Sequence, residues 1–401
     1  MPDTPQNLLS AAAVRAKADE VFARAEAGTL PHWRVDMDAL PACADFVAKT
    51  IRERYPTLDV PFHARWRHFV FSGRDLWAET SQSESWRNTD AKARAEFDLA
   101  ITSVLLDAGA GAAWAYADDA SGIKAARSEG LALASLRLFE WGGFSAEPSD
   151  PLRADAIGLK RIDATALGNA FQVSAQNPLL GLEGRAVLLN RLGAQCVARV
   201  DLFAREDKPR PGGLYDVLKA RAENGALRAP LILEALLEGL GPIWQNRPAL
   251  DGVALGDCWP VAPLGYIPLH KLSQWLAYSL IEPLERAGVR VTSIDGLTGL
   301  AEYRNGGLFV DAGVLVPQDG GALMTAYQVH DPFVVLWRSL TVALLDRIAP
   351  LVRERLSVSA EQFPLARVLE GGTWAAGRIL AREKRADAEP PFVIESDGTV
   401  F

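Results

Sequence analysis

Four cationic or titratable side chains, His63, Arg65, Arg67 and His68, lie within a short segment bordered by aromatic residues. Helical spacing places His63 beside Arg67, and strand spacing places His63, Arg65 and Arg67 on one face, so either conformation groups the donors. Arginine forks bind the oxygens of a phosphate or a carboxylate in pairs. The segment 63–69 therefore indicates an anion site, with a set of structural ion pairs as the alternative.

Asp311 is the first candidate for acid–base chemistry because it interrupts an otherwise apolar run. A buried carboxylate is costly unless it is paired or used in catalysis. Glu302 lies nearby in the sequence and is followed by Tyr303 and Arg304, whose ring and guanidinium are candidate substrate contacts. The alternative for Asp311 is a salt bridge to Arg304 or to another arginine.

A second set of polar residues surrounds the start of a predicted helix at 268–287. His270 and Gln274 are one helical turn apart, on a polar stripe that suits the lining of a ligand site. Just upstream, Asp257 and Trp259 place a carboxylate beside an aromatic ring in a turn. The alternatives are that His270 is a core histidine and that Asp257 only caps the turn.

A third set lies on one face of a predicted helix near the C-terminal end. Glu370, Trp374 and Arg378 recur at intervals of four residues, so a carboxylate, a stacking surface and a cation are aligned. The adjacent glycines Gly371 and Gly372 each cost about 1 kcal/mol in a helix interior relative to alanine. We therefore expect another group to approach this backbone closely, either a ligand or a second helix.

Several common catalytic signatures are absent from the sequence. It has no GxxxxGK[ST] phosphate loop, no strand-coupled GxGxxG and no GxSxG elbow. Its five histidines form neither HExxH nor HxH, so we predict no metal site and no cofactor. Arg338, within an apolar run, is interpreted as a buried structural cation.

These residues must be positioned mostly by helices. Ser10 is a predicted cap for a helix that ends at Gly28, Pro41 begins a second helix that ends before Pro56, and Asp90 opens a third. Apolar residues at helical spacing predict further helices near 122–141, 163–176, 183–204, 214–223, 231–240, 268–287, 333–348 and 360–383.

Strand signals are few. Alternation in 289–316 predicts two strands, joined by an Asn305-Gly306 turn of the hairpin type. The segment 392–401 suggests another short hairpin. The sequence thus predicts a mainly α fold: one compact, continuous helical domain over 1–401, with a small antiparallel β element inserted around 289–316.

Composition limits the partners and the compartment. The 401 residues are 49% hydrophobic, and 42 Lys and Arg stand against 50 Asp and Glu, so the chain is folded and acidic, and we expect no nucleic-acid partner. The start at Met1 resembles no secretory signal, and three widely separated cysteines argue against disulfides, so we expect a cytoplasmic protein. The apolar stretch Leu99 to Ala117 is interrupted by polar residues, which favours a buried helix over a membrane span. The oligomeric state is left open.

Four blocks of this sequence, at 63–69, 268–276, 302–311 and 369–378, resemble the family of the fourth protein of the URC uracil-catabolism pathway. That resemblance covers nearly the whole chain and implies a role in handling ribosylurea, the ring-opened remnant of a uracil nucleoside or nucleotide. The implied reaction is release of urea from the sugar. A fainter similarity to queuosine-salvage N-glycosylases implies a helical fold like that of DNA glycosylases.

Cleavage of an N-ribosidic bond develops positive charge at the anomeric carbon, so the site needs a carboxylate and a second acid–base group. Our first catalytic pair is Asp311 with Glu302, and the reserves are Asp257 and Glu370. The substrate is a small ribosyl or ribose-phosphate compound. Residues proposed to contact it are His63, Arg65, Arg67, His68, Trp259, His270, Gln274, Tyr303, Arg304, Trp374 and Arg378. The alternatives are hydrolysis of an amide bond in the urea group and a non-catalytic binding protein of the pathway.

Overall fold

The computed structural model describes residues 3–204, 208–385 and 389–395. The helices in these residues are α1 Pro5–Leu8, α2 Ala11–Glu26, α3 Leu40–Arg54, α4 Leu76–Ser83, α5 Thr89–Leu105, α6 Arg127–Glu140, α7 Ala156–Arg161, α8 Ala164–Ala170, α9 Leu182–Ala198, α10 Val200–Phe203, α11 Gly213–Ala220, α12 Ala229–Leu240, α13 Lys271–Arg286, α14 Tyr303–Asp311, α15 Pro332–Leu356, α16 Leu365–Val368 and α17 Trp374–Lys384. A π-helical turn, Leu369–Thr373, joins α16 to α17. Short 3₁₀ turns occur as well, among them Arg65–Phe69.

The strands are short and pair two by two. They are β1 Trp33–Val35, β2 Val70–Phe71, β3 Arg74–Asp75, β4 Ala115–Asp118, β5 Ile123–Ala126, β6 Ala226–Arg228, β7 Ala249–Leu250, β8 Val253–Ala254, β9 Cys258–Val261, β10 Gly265–Pro268, β11 Arg290–Thr292, β12 Leu315–Pro317, β13 Ala326–Gln328 and β14 Val393–Glu395. The pairs β1 with β12, β2 with β3, β4 with β5, β7 with β8 and β9 with β10 are antiparallel, while β6 with β11 and β13 with β14 are parallel. The predicted mainly α fold with small β elements is confirmed.

The helix ends follow the expected local chemistry. Ser10 Oγ accepts a hydrogen bond of 3.1 Å from the Ala13 amide at the start of α2, and Gly28 after its end has φ +67°. Pro41 lies in the first turn of α3, and α5 begins after Asn88, whose side chain caps it. The first two helices therefore begin and end where their sequences predict, while the third begins one residue before Asp90, the residue predicted to open it, and is capped by Asn88.

Several predicted helices differ from the observed ones. Strand β5 replaces the start of the helix expected over 122–141, the helix expected over 183–204 is divided into α9 and α10, and the one expected over 333–348 extends to Leu356. The helix expected over 163–176 is only α8 and ends at Ala170, because the chain turns at Gln172, which has φ +56°. The helix expected over 360–383 is divided into α16, the π-helical turn and α17. The glycine pair lies within that π-helical turn.

The prediction of a hairpin within 289–316 is wrong. β11 forms where expected but pairs in parallel with β6, and α14 occupies the predicted turn and the first part of the second strand, which was expected over 308–316. Glu302 begins this helix by accepting amide hydrogen bonds, a role that glutamate seldom takes and that sequence patterns therefore do not signal. Burial of α14 against neighbouring helices outweighs the low helix propensity of its two glycines. The predicted hairpin at 392–401 lies mostly outside the described residues, and β14 pairs with β13 instead.

Contacts between Cα atoms divide the chain into two compact units that interleave along the sequence. Among the described residues, unit 1 comprises 3–63, 247–274, 293–385 and 389–395, and unit 2 comprises 64–204, 208–246 and 275–292. The expectation that 1–401 behaves as one continuous domain stays a prediction.

Unit 1 is organised around α15. This helix packs on α2 and α3 and also contacts α14, which packs closely against α17. Its middle is buried almost completely, and Trp337 packs edge to face on Phe392 with ring centroids 4.8 Å apart. The site residues of unit 1 are therefore held on elements with a large apolar core.

Unit 2 is organised around α5, which packs against α6, α9 and α11. The second half of α5 is buried on all sides, which explains the long apolar run at Leu99 to Leu105. Among the residues that the structure describes, no helix is both long enough and apolar enough to cross a bilayer.

Candidate active site

Unit 1 contains all four carboxylates proposed for catalysis, Asp257, Glu302, Asp311 and Glu370. It also contains every proposed substrate contact except Arg65, Arg67 and His68, which belong to unit 2. Each of the four carboxylates is held by a different partner. Those partners decide which carboxylate suits acid–base chemistry.

Glu370 forms a pair with an imidazole. Its Oε2 lies 2.7 Å from His63 Nδ1, and the two side chains are 12% and 7% exposed. The amide of His63 donates a hydrogen bond of 3.0 Å to the Ala366 carbonyl, so the backbone also fixes the histidine. A carboxylate that accepts the Nδ1 proton fixes the tautomer, so that Nε2 is the nitrogen that exchanges protons. The His63–Glu370 pair can therefore act in general acid–base chemistry.

The π-helical turn Leu369–Thr373 positions Glu370. Such turns are rare and occur often at functional sites. Here the turn packs against α3: a Cβ on Gly372 would lie 2.6 Å from Val47 Cγ1, and one on Gly371 would lie 3.3 Å from Ile51 Cγ1. The close approach expected at this glycine pair is confirmed, and the approaching element is a helix.

Trp374 and Arg378 lie one turn apart on α17, which begins directly after the π-helical turn that carries Glu370. The Trp374 ring centroid is 6.2 Å from that of His63, and the Arg378 guanidinium lies 5.6 Å from the Trp374 ring centroid. Glu370, Trp374 and Arg378 are all half-buried. His63 contacts both the Glu370 carboxylate and the Trp374 ring, so the structure links the carboxylate, the stacking surface and, through Trp374, the cation.

Asp257 is fixed by hydrogen bonds to both of its oxygens. Arg338 donates to Oδ1 and to Oδ2 at 2.7 Å each, Trp259 Nε1 donates at 2.9 Å, and the Lys271 amide donates at 3.0 Å. Burial alone would raise the pKa of Asp257, but the charge of Arg338 and these hydrogen bonds hold it well below its usual range. Asp257 is therefore a permanent anion, poorly suited to accept a proton at neutral pH.

Residues beside Asp257 are mostly enclosed. His270 is 1% exposed, its Nε2 lies 2.9 Å from the Leu8 carbonyl, and burial lowers its pKa. Gln274 is fully buried and accepts a hydrogen bond of 3.3 Å from the Thr298 amide. The Trp259 ring centroid is 5.2 Å from the Arg247 guanidinium and 6.0 Å from the His330 ring centroid. These contacts match a core histidine and a structural carboxylate.

Glu302 and Asp311 lie at opposite ends of α14. Glu302 caps its start by accepting hydrogen bonds of 2.8 Å from the Arg304 amide and 2.6 Å from the Asn305 amide. Asp311 binds Arg385 through two hydrogen bonds of 2.8 and 2.6 Å, which is the salt bridge weighed as the alternative. The Arg304 guanidinium lies 5.1 Å from the Tyr303 ring centroid.

The three residues of unit 2 that were expected to bind an anion, Arg65, Arg67 and His68, also have partners within the protein. Arg65 is fully buried and donates hydrogen bonds of 2.7 Å to Asp107 and to Ser103, while burial lowers its pKa despite the Asp107 charge. Arg67 binds both oxygens of Glu282. His68 Nδ1 lies 3.3 Å from Arg65 Nη1. This geometry matches the structural ion pairs that were the alternative to an anion site.

Two residues that the sequence did not indicate, Arg54 and Tyr55, contact Glu370. Arg54 donates hydrogen bonds to the carbonyls of Glu370 and Gly371, and Tyr55 Oη lies 3.5 Å from Glu370 Oε1. Nothing in the local sequence signals these contacts, because they join residues more than 300 positions apart. No group of three or more His, Cys, Asp and Glu side chains within the described ranges has the geometry of a metal site.

Sequence comparisons give the family. A family model described as "Protein of unknown function (DUF1688)" matches residues 7–401. The chain is 38% identical over 409 residues to Protein urg3 of Schizosaccharomyces pombe, covering 100% of this chain and 99% of that relative. It is 36% identical over 435 residues to Uracil catabolism protein 4 of Lachancea kluyveri, covering 98% of each. The chain therefore belongs to the family described as protein of unknown function DUF1688.

Proposed function

We propose that this protein takes part in uracil catabolism and hydrolyses the N-ribosidic bond of ribosylurea, or of its 5′-phosphate, to release urea. The pathway assignment is supported by the name of the Lachancea kluyveri relative, which matches this chain over nearly its full length. The reaction is supported by the resemblance of four sequence blocks to that pathway's fourth protein. The choice of acid–base group rests on one observation, the 2.7 Å contact between His63 and Glu370.

The reaction needs a group that gives a proton and later takes one. As the bond between C1′ and nitrogen breaks, its electron pair moves to the urea nitrogen, and protonated His63 donates a proton there. The ribosyl group is left as an oxocarbenium ion, which the negative charge of Glu370 stabilises. Water then adds to C1′ and gives a proton to the now neutral His63. One pair therefore serves both half-steps, and urea and the free sugar are the products.

Glu370 suits this role better than the other three carboxylates. Asp257 and Asp311 each bind an arginine through both oxygens, and Glu302 caps a helix with both of its oxygens. Removing any of these three carboxylates would mainly lower the stability of the fold. Glu370 instead faces an imidazole, the group that most often transfers protons near neutral pH. Trp374 and Arg378 are the proposed substrate contacts beside it.

The test is product analysis with purified protein. Ribosylurea and its 5′-phosphate are each incubated with the wild-type chain, and urea and the pentose or pentose phosphate are quantified together. We expect equal amounts of the two products from at least one substrate. Recovery of ammonia and carbon dioxide would favour hydrolysis within the urea group, and binding without turnover of either compound would favour a non-catalytic protein. Either result would end the glycosidase proposal.

Variants link the activity to the site. His63→Asn and Glu370→Gln should each lower kcat by about 100-fold or more, since a positioned general acid–base group contributes about 10²–10⁴-fold. Glu361→Gln is the matched control, because Glu361 is an exposed glutamate nine positions before Glu370 and outside the π-helical turn. If His63→Asn and Glu361→Gln turn over equally fast, the His63–Glu370 pair is not the catalytic group.

A further inference from the structure

Arg54, the last residue of α3, reaches the backbone of the π-helical turn. Its Nη1 donates to the Glu370 carbonyl at 2.7 Å and to the Gly371 carbonyl at 3.1 Å. One guanidinium therefore holds two consecutive carbonyls of the turn that carries Glu370. A side chain that inserts into a backbone ladder is a recognised cause of local departures from α-helical geometry.

The glycine pair lets α3 approach closely enough for this contact. Gly372 faces Val47 and Ile51, which lie two turns and one turn before Arg54 on the same helix, and a Cβ there would lie 2.6 Å from Val47 Cγ1. A larger residue would push α3 away from the turn. One arrangement therefore fixes the backbone position of Glu370. It consists of the packing of α3, the glycine pair and the Arg54 contacts.

The charge of Arg54 contributes less than its hydrogen bonds. Its Nη2 is 3.9 Å from Glu370 Oε1, and its side chain is 35% exposed. Ion pairs this exposed contribute about 0–1 kcal/mol, because water and salt screen them. The two carbonyl contacts are directional, and they act on the backbone of Glu370 itself. Geometry, more than attraction between charges, is what Arg54 supplies.

We infer that Arg54 is a positioning residue: by holding the π-helical turn, it keeps Glu370 in hydrogen-bonding register with His63. The inference rests on the proposed function only for its effect on turnover. It also concerns the His63 tautomer, which is measurable without substrate. Without Arg54, Glu370 moves away from Nδ1, and His63 reverts to the Nε2-protonated tautomer that imidazoles favour in water.

The experiment compares Arg54→Met, Arg54→Lys and Arg52→Met. Arg52 is the matched control because it lies on the same helix and donates to the Arg355 carbonyl, away from the π-helical turn. The first readout is the ¹⁵N spectrum of histidine-labelled protein at about pH 8.5, where an ordinary imidazole is neutral. Only five histidines are present, and His63→Asn assigns the His63 signals.

We expect a protonated Nδ1 on His63 in the wild type and in Arg52→Met, and a protonated Nε2 in Arg54→Met. Arg54→Lys should resemble Arg54→Met, since the lysine side chain keeps the charge but ends one bond short of the Nη1 position that makes both contacts. An unchanged His63 tautomer in Arg54→Met would overturn the inference. So would a wild-type His63 that lacks the Nδ1 proton, or a lysine variant that behaves as the wild type.

Turnover is the second readout. If ribosylurea is the substrate, Arg54→Met should lower kcat by about 100-fold, the effect of a misplacement of about 1 Å, with KM changed much less. Arg54→Ala should lose kcat in the same way, and millimolar guanidinium added to that variant should restore part of its kcat. A wild-type protein that does not hydrolyse ribosylurea would refute the proposed function while the tautomer result still decides the role of Arg54. Hydrolysis with kcat unchanged in Arg54→Met would refute the inference alone.

Discussion

Asp257 and Arg338 are joined by two parallel hydrogen bonds of 2.7 Å, and the arginine side chain is fully buried. The guanidinium also donates through Nε to the Ala301 carbonyl at 2.9 Å, so it connects α15 to the chain that leads into α14. A buried arginine needs its counter-charge, because a lone charge out of water is very unfavourable. The pair therefore stabilises unit 1, and Asp257 is committed to that role.

Asp257→Asn should destabilise the protein strongly. Breaking a buried ion pair by removing one partner costs about 3–5 kcal/mol, because the remaining charge is uncompensated. Asp346→Asn is the matched control: Asp346 pairs with Arg15 at the same distance of 2.7 Å, but those side chains are 23% and 31% exposed. An exposed pair contributes about 1 kcal/mol or less. Urea unfolding at pH 7 measures both, and equal losses would contradict the structural role of Asp257.

His270 should make the free energy of unfolding depend on pH. Burial lowers its pKa in the folded protein, whereas the unfolded chain takes up a proton near pH 6.5. The unfolded state then binds more protons, so the free energy of unfolding falls as the pH drops below 6.5 toward the lower folded pKa. At pH 5.5 this loss is at most about 1.4 kcal/mol, the limit for an imidazole that stays neutral in the folded protein. Replacing the imidazole should remove it.

The variant for this test is His270→Asn, because His270 has φ +47° and asparagine tolerates that backbone. His32→Asn is the control, since His32 also has a positive φ of 69° but is exposed. Urea unfolding at pH 7.5 and at pH 5.5 gives the pH-dependent difference for each protein. A wild-type difference that persists in His270→Asn would assign the pH dependence to another group.

The sequence predicted the fold well where local chemistry decides it. Ser10, Pro41 and Gly28 mark helix ends through capping, ring geometry and a positive φ, all of which are local. The region around Asn305 and Gly306 was misread because an Asn-Gly pair is also a hairpin signal. Tertiary packing determines the helical conformation there, because Gly306 lies directly against the Trp337 ring and a Cβ on this residue would overlap the ring.

For the candidate site, too, local spacing was predictable from the sequence and long-range contacts were not. Helical spacing groups Glu370, Trp374 and Arg378, and the structure links them through His63 and through the Trp374 ring, although Glu370 lies in a π-helical turn. The partner of each carboxylate does not follow from spacing, because His63 with Glu370, Arg338 with Asp257 and Arg385 with Asp311 are long-range pairs. A single sequence shows that a buried carboxylate needs a partner but not which residue supplies it. The ranking of the four carboxylates therefore changed once those partners were known.

Gly377→Ala should destabilise unit 1 by separating two helices. Gly377 of α17 lies against the Arg304 carbonyl of α14, where an added Cβ would overlap the oxygen. Backbone yields less readily than a side chain, so we expect a loss of about 1–3 kcal/mol. Gly184→Ala in α9 is the control, because nothing lies within 4 Å of its Cβ position, and alanine there should stabilise the helix by up to about 1 kcal/mol. Thermal unfolding should show opposite signs, and two changes of the same sign would contradict this packing.

Asp311→Asn should reduce stability while turnover continues. Both carboxylate oxygens of Asp311 bind Arg385, and an amide keeps the shape but loses the charge and one acceptor. Hydrogen bonds to charged groups contribute about 1.5–3 kcal/mol, which sets the expected loss in unfolding free energy. Because the proposed acid–base pair is His63 with Glu370, kcat on ribosylurea should stay within about tenfold, or 1.4 kcal/mol, of the wild type. If Asp311→Asn folds but loses turnover as completely as Glu370→Gln, the catalytic carboxylate is Asp311, and the role assigned to Glu370 is wrong.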